Sequence, residues 1–162
     1  MKRFSTVVIW VCLLIGFAGT GLAAEKLRIL VSNDDGINSD GILALVRALE
    51  PFAEVIVAAP ERTHSGSGHA LTPEGPIKVK EFKRDGKFFG FSIESTPATS
   101  VMIGLEEYCE NQKPDLVVTG INEGSNLGQT VLVSGTFNAA QEAALRGIPA
   151  IAVSLEREKG NM

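Results

Sequence analysis

Two adjacent carboxylates, Asp34 and Asp35, follow directly on the apolar run Leu27-Arg28-Ile29-Leu30-Val31-Ser32. They sit inside Asn33-Asp34-Asp35-Gly36, with a helical pattern beginning after Gly36. Neighbouring carboxylates at the end of a strand repel, and burial makes their charge costlier still. A divalent cation offsets both terms. Mg²⁺ or Mn²⁺ takes hard oxygen ligands, often one or two carboxylates completed by water and substrate phosphate. The same four residues also make an ordinary solvated turn, because Asn, Asp and Gly all favour turns.

Other segments offer complementary chemistry. Ser65-Gly66-Ser67-Gly68 places glycines at alternate positions, where backbone N–H groups can approach an anion closely. It is not a Walker loop, because no Gly-Lys-Ser/Thr follows. It is not a dinucleotide fingerprint either, because Leu71 stands where the third glycine belongs. A flexible surface loop is the plainer reading. Asn122, in Gly120-Ile121-Asn122-Glu123-Gly124-Ser125-Asn126, carries an amide oxygen that can complete a cation's shell, or can serve a local turn. Ser134-Gly135-Thr136 opens a helix, whose first N–H groups and positive dipole end suit a phosphate, or simply a Ser/Thr cap. His64 and His69 flank the Ser65 loop and are weaker candidates for acid or binding roles. No Cys or third His accompanies them to make a zinc set.

The elements that must position these residues alternate strand and helix, which predicts an α/β domain with a mainly parallel sheet. Strands are predicted over 27–32, 55–59, 115–119 and 150–154. Ile42, Leu45, Val46 and Leu49 recur at helical spacing, and Pro51 closes that helix. Residues 77–82 and 88–93 flank Arg84-Asp85-Gly86-Lys87, a hairpin signal. Thr96-Pro97 caps a helix with the apolar stripe Ala98, Val101, Met102, Leu105 and Cys109. A last helix ends near Arg146-Gly147, with Gly147 at its C′ position. In an open parallel sheet, ligands bind outside the carboxyl ends of the strands. The Asp34, Ser65 and Asn122 segments all follow strands and converge there.

The chain has 162 residues, and its beginning reads as a separate object. Lys2 and Arg3 precede the apolar stretch 7–18, and Gly21-Leu22-Ala23 forms a small-x-small cleavage site. This predicts a secretory signal over 1–23, a mature chain from Ala24, and a protein that is exported and periplasmic. Removing the signal leaves 13 basic and 19 acidic residues, a net charge of −6. That balance argues against nucleic-acid polymers and against stable membrane association after cleavage. Cys109 alone remains after cleavage, too few for an intrachain disulfide, and its place on an apolar stripe predicts a buried structural thiol.

Taken together, residues 29–36, Ala59-Pro60-Glu61-Arg62 running into Ser65-Gly66, and 119–128 resemble the survival protein SurE family. Ser134-Gly135-Thr136 and 149–155 extend the match over nearly all of the mature chain. The resemblance implies a Rossmann-like fold, with helices on both faces of the sheet and a β-hairpin insertion. It implies a divalent-metal-dependent phosphatase acting on nucleoside 5′- and 3′-monophosphates, with Mg²⁺ or Mn²⁺ as cofactor. By motif, Asp34, Asp35, Ser65 and Asn122 become the metal ligands, with Asp34 and Asp35 catalytic. Ser65, Gly66, Ser134, Gly135 and Thr136 bind substrate, and a metal-activated water attacks phosphorus. Family members form dimers or tetramers and continue well past the strand near Leu155. The expectation is therefore a domain over 24–162 that lacks the family's C-terminal part. The alternative is a catalytically weak protein that binds phosphate or nucleotide without turnover. A metal-dependent deacetylase fits less well, because Ser32-Asn33, not a His, precede the acidic pair.

Overall fold

The computed structural model describes residues 26–109 and 111–156, so the predicted signal over 1–23 and most of the polar tail lie outside the described residues. The strands are β1 (Leu27–Ser32), β2 (Ala53–Pro60), β3 (Val79–Arg84), β4 (Lys87–Ile93), β5 (Leu116–Glu123) and β6 (Ala150–Leu155). The helices are α1 (Asp40–Leu49), α2 (Pro97–Ile103) and α3 (Gly135–Leu145). A π turn, Gly104–Tyr108, continues α2, and a 3₁₀ segment, Gly128–Val133, leads into α3.

The sheet order is β3-β4-β2-β1-β5-β6. β1 pairs in parallel with β2 and β5, β2 with β4, and β5 with β6, while β3 runs antiparallel at the edge. The predicted hairpin is thus part of the sheet. Its turn has Asp85 at φ 51° and Gly86 at φ 77°, the left-handed pair that matches strand twist.

Alternation along β1 divides the core in two. Ile29 and Val31 face a cluster with Ile42, Leu45 and Val46 of α1 and Val57 of β2. Leu30 faces the other side, packing with Val101 and Leu105 after β4 and with Ala139 and Ala143 of α3. Both faces are covered at β1, as a central parallel strand requires, while β6 at the edge stays largely exposed. α2 sits close on its face because Gly104 lacks a side chain: a Cβ there would lie 2.9 Å from Ala58 Cβ and 3.0 Å from Leu30 Cδ1. Cys109 is buried, and burial pushes its thiol pKa up, as suits an inert structural thiol.

Three strands depart from the sequence expectation by two residues or more at an end. β2 runs further at both ends, and β3 begins at Val79 rather than 77. The third departure matters more, because β5 continues to Glu123 through residues that read as loop. Its register against β6 slips after Thr119 and resumes with Asn122 opposite Ser154 and Glu123 opposite Leu155. Pairing with a neighbour stabilises a strand that its Gly and Asn content disfavours. Asn122 is consequently held on a strand end and not in a free turn.

Candidate active site

The chain leaves β1 toward α1 on one face and leaves β5 toward α3 on the other. These two strands are neighbours, so their diverging connections open a crevice at the carboxyl edge of the sheet. The turn after β1 is set by Asn33, which is fully buried. Its Nδ2 donates to Gly36 O at 3.0 Å and to Ser39 Oγ at 2.8 Å, and its Oδ1 accepts from Gly36 N. Ser39 is the N-cap of α1, so one amide joins the acidic turn to the following helix. Gly36 has φ +98°, and a Cβ there would lie 3.0 Å from the Arg62 carbonyl carbon.

The two carboxylates point apart. Asp34 is only 3% exposed, and Thr136 Oγ1 donates to its Oδ1 at 2.5 Å. The first residue of α3 packs directly on it. A Cβ on Gly135 would fall 2.6 Å from Asp34 Cβ and 2.9 Å from Oδ2, so only glycine lets the helix start here. Burial raises the Asp34 pKa above the ordinary carboxylate range; the charge of Asp35 adds to that and the Thr136 hydrogen bond opposes it. Asp35 is half-buried and turns toward β5, where its Oδ2 accepts from Glu123 N at 3.1 Å.

Asp34, Ser65, Gly66, Asn122 and Ser134 line one open cavity of about 220 Å³. Asn122 donates its Nδ2 to Gly124 O at 2.7 Å, which leaves the amide oxygen as the group available to a cation. Ser65 is exposed, with its hydroxyl 3.2 Å from Thr63 Oγ1. Gly66 has φ +76° and open space where a Cβ would be, so its glycine serves backbone conformation and not close contact. The predicted residues are brought together across about a hundred positions of sequence. Asp35 stands beside the cavity and not in its lining. A second cavity, about 370 Å³, shares Ser125 and Asn126 with the first and runs past Leu127 and Phe137.

The three residues at the start of α3 have different places. Ser134 is the N-cap, accepting from Phe137 N at 3.1 Å, and it lines the cavity. Gly135 and Thr136 lie behind Asp34. The Thr136 hydroxyl is committed to that carboxylate, and its carbonyl accepts from Thr119 Oγ1 at 2.8 Å. The sequence places Thr136 among the phosphate-binding residues; in the structure its side chain supports Asp34, and only its backbone N–H belongs to the first turn of the helix. Neither histidine lines the cavity. His64 borders a small pocket of about 40 Å³ with Glu61, Arg62, Glu94 and Ser95. Burial, then the charge of Arg62, lowers its pKa against the pull of Asp34. His69 Nε2 lies 2.8 Å from Glu142 Oε2. That contact was not foreseen, although a single Glu among the alanines of α3 marks an unusual position.

The donor set fits a hard divalent cation. It offers a buried carboxylate with no ion pair among the described residues, a second carboxylate beside it, and neutral oxygens from Asn122 and Ser65. Among the described residues no three His, Cys, Asp or Glu side chains gather into a metal cluster.

The family model described as survival protein SurE matches residues 29–162. The 5′-nucleotidase SurE of Methanothermobacter thermautotrophicus is 46% identical over 138 residues, covering 84% of this chain and 52% of that protein. The 5′-nucleotidase SurE of Desulforamulus reducens is 54% identical over 132 residues, covering 80% and 51%. The crystal structure of the SurE protein from Aquifex aeolicus superposes with a TM-score of 0.73 at 44% identity, covering 83% of this chain and 53% of that one. The chain spans about half the length of the curated relatives it matches.

Proposed function

Because this chain belongs to the survival protein SurE family, we propose that it is a divalent-metal-dependent phosphomonoesterase acting on nucleoside monophosphates. The observation that carries the proposal is the convergence of Asp34, Ser65, Asn122 and Ser134 on one cavity at the β1–β5 crevice. The relatives are 5′-nucleotidases by name, and that names a substrate class such a cavity can serve.

In this reading Asp34 and Asp35 hold the cation, and Ser65 and Asn122 complete its shell. When bound, a divalent ion polarises the phosphoryl group and makes water a competent nucleophile at neutral pH. The protein's own part is positional and electrostatic. Thr136 fixes the Asp34 carboxylate from behind, and Asn33 fixes the turn that presents it. The backbone N–H of Ser134 is bonded to Val131 O at 3.3 Å, so the Gly66 amide and the Gly135 and Thr136 amides of the first turn of α3 are the donors this reading assigns to the charge that grows on the phosphoryl oxygens. The adjoining cavity past Leu127 and Phe137 has room for the rest of the ester.

The test is phosphate release from a panel of nucleoside 5′- and 3′-monophosphates with Mg²⁺, with Mn²⁺ and with EDTA. Release that needs a cation and stops in EDTA supports the proposal. Release indifferent to EDTA overturns the metal assignment. No release, with melting still raised by Mn²⁺ and nucleotide, assigns binding without turnover instead.

Export, with cleavage after Ala23 and a mature chain from Ala24, rests on the N-terminal pattern alone. Sequencing the N-terminus of the exported protein decides between Ala24 and an intact Met1. Homo-oligomer formation is checked by light scattering on the same material.

A further inference from the structure

The segment between β2 and β3, which carries Ser65, contains no helix or strand and keeps its shape through separate ties. His64 N donates to Asp34 O at 2.7 Å, and Gly68 N donates to Val133 O at 3.0 Å. Further along, Thr96 Oγ1 donates to Ala70 O at 2.6 Å, and Thr72 N donates to Thr99 Oγ1 at 2.9 Å. One tie is of another kind. His69 reaches from this loop to Glu142, which lies on the buried side of α3 and is only 5% exposed.

Glu142 has both carboxylate oxygens in use. Oε2 meets His69 Nε2 at 2.8 Å, and Oε1 accepts from Arg146 Nε at 2.6 Å. Arg146 Nη1 in turn donates to Glu106 Oε1 at 2.6 Å, on the π turn after α2. A carboxylate this buried needs such partners. Burial by itself raises its pKa, but the bonds from Arg146 and His69 outweigh burial and hold it below the ordinary range. The Arg146 bond is an i,i+4 contact that α3 could make alone. The His69 bond is different, since it joins the helix that packs on Asp34 to the loop that carries Ser65.

We infer that His69 and Glu142 form a clasp that positions the Ser65–Gly66 loop against the start of α3, making His69 a positioning residue for the cation cavity. The inference rests on the reading of that cavity as a cation and phosphate site. His64 and His69 bracket Ser65 and Gly66. One end of this short span is tied to the Asp34 backbone and the other to α3. A loop tied at both ends enters the bound geometry with less entropy left to lose, so a cation needing Ser65 binds more tightly. His69 touches neither substrate nor cation in this account and acts only through the loop.

The test compares His69→Ala, His69→Gln and Glu142→Gln with the unaltered full chain. Amide hydrogen exchange over 64–69 is measured first, without metal, so it is independent of any activity. Mn²⁺ affinity is then read from the Mn²⁺-induced rise in melting temperature, and kcat and KM from phosphate release. In His69→Ala the His64 and Gly68 amides are expected to exchange at least about tenfold faster, with β1 and α1 unchanged. The Mn²⁺ concentration for half the thermal shift rises about tenfold, and KM changes more than kcat. His69→Gln, whose amide can still donate to Glu142, restores most of both. Unchanged exchange over 64–69 in His69→Ala overturns the clasp whether or not the protein proves to be a phosphatase. Faster exchange with unchanged Mn²⁺ affinity also overturns it, because the tie would then be structural only. If the unaltered chain neither binds Mn²⁺ nor releases phosphate, the cavity reading fails, and with it the clasp's positioning role, even where exchange shows the tie itself.

Discussion

α1 and α3 cover opposite faces of the same sheet and are attached to it by different chemistry. α1 buries Ile42, Leu45 and Val46, with Ile42 wholly inaccessible, against Ile29, Val31 and Val57. Its attachment is hydrophobic area, which is large and tolerant of small shifts. α3 buries Gly135, Thr136, Asn138, Glu142 and three alanines, while its large apolar residues Phe137 and Leu145 stay 40% and 71% exposed. Its attachment is close approach and directed hydrogen bonds: Thr136 to Asp34, Thr119 to the Thr136 carbonyl, and Glu142 to His69. Hydrophobic contact places a helix on a sheet. Hydrogen bonds with defined partners place its first turn to within the tolerance a site requires. The polar helix is therefore the one that faces the chemistry.

The largest expected effect on this contrast is Ile42→Ala in α1. Loss of a buried Ile side chain costs about 2–5 kcal/mol, read from denaturant unfolding. At a temperature where the variant stays folded, KM and Mn²⁺ affinity should match the unaltered protein. A changed KM would break the separation between the two helices. Gly135→Ala is the opposite case. Its Cβ would lie 2.6 Å from Asp34 Cβ, so one atom must move the carboxylate or the helix. Phosphate release should fall about 100-fold, the scale of a misplacement near 1 Å, with a larger loss of Mn²⁺ affinity than Ile42→Ala shows.

Thr136→Ala is next. It removes the donor to Asp34 and should cost about 1–3 kcal/mol in unfolding experiments. Because the hydroxyl holds the carboxylate, the Mn²⁺-induced rise in melting temperature should shrink more than any phosphate-induced rise. The reverse order would return Thr136 to direct phosphate contact. The smallest effects come from the two caps. Ser39→Ala and Ser134→Ala each remove a side-chain cap, at about 1 kcal/mol. Ser39→Ala should lose more in melting, because Ser39 Oγ also accepts from the buried Asn33 Nδ2 at 2.8 Å. Only Ser134→Ala, whose residue lines the cavity, should also weaken protection by phosphate. Equal phosphate protection in both would leave Ser134 a cap alone.

The apolar run of β1, the helical spacing of Ile42, Leu45 and Val46, the Asp85-Gly86 turn and the Thr96-Pro97 cap were all legible in the sequence. Each depends on neighbours a few residues away, where backbone geometry alone sets the preference. The candidate site was legible as residue types, because Asp34, Asp35 and Asn122 follow strand patterns and a parallel sheet collects strand ends on one edge. The rest was settled by tertiary structure. Whether Asn122 lies in a turn or on a paired strand depended on β6. Whether the Thr136 hydroxyl meets a phosphate or a carboxylate depended on how closely Gly135 lets α3 approach Asp34. Whether His69 serves chemistry or holds a loop depended on Glu142, which lies 73 residues further along the chain. Contacts between distant segments leave no local pattern, because each is specified by the packing of elements that other residues determine.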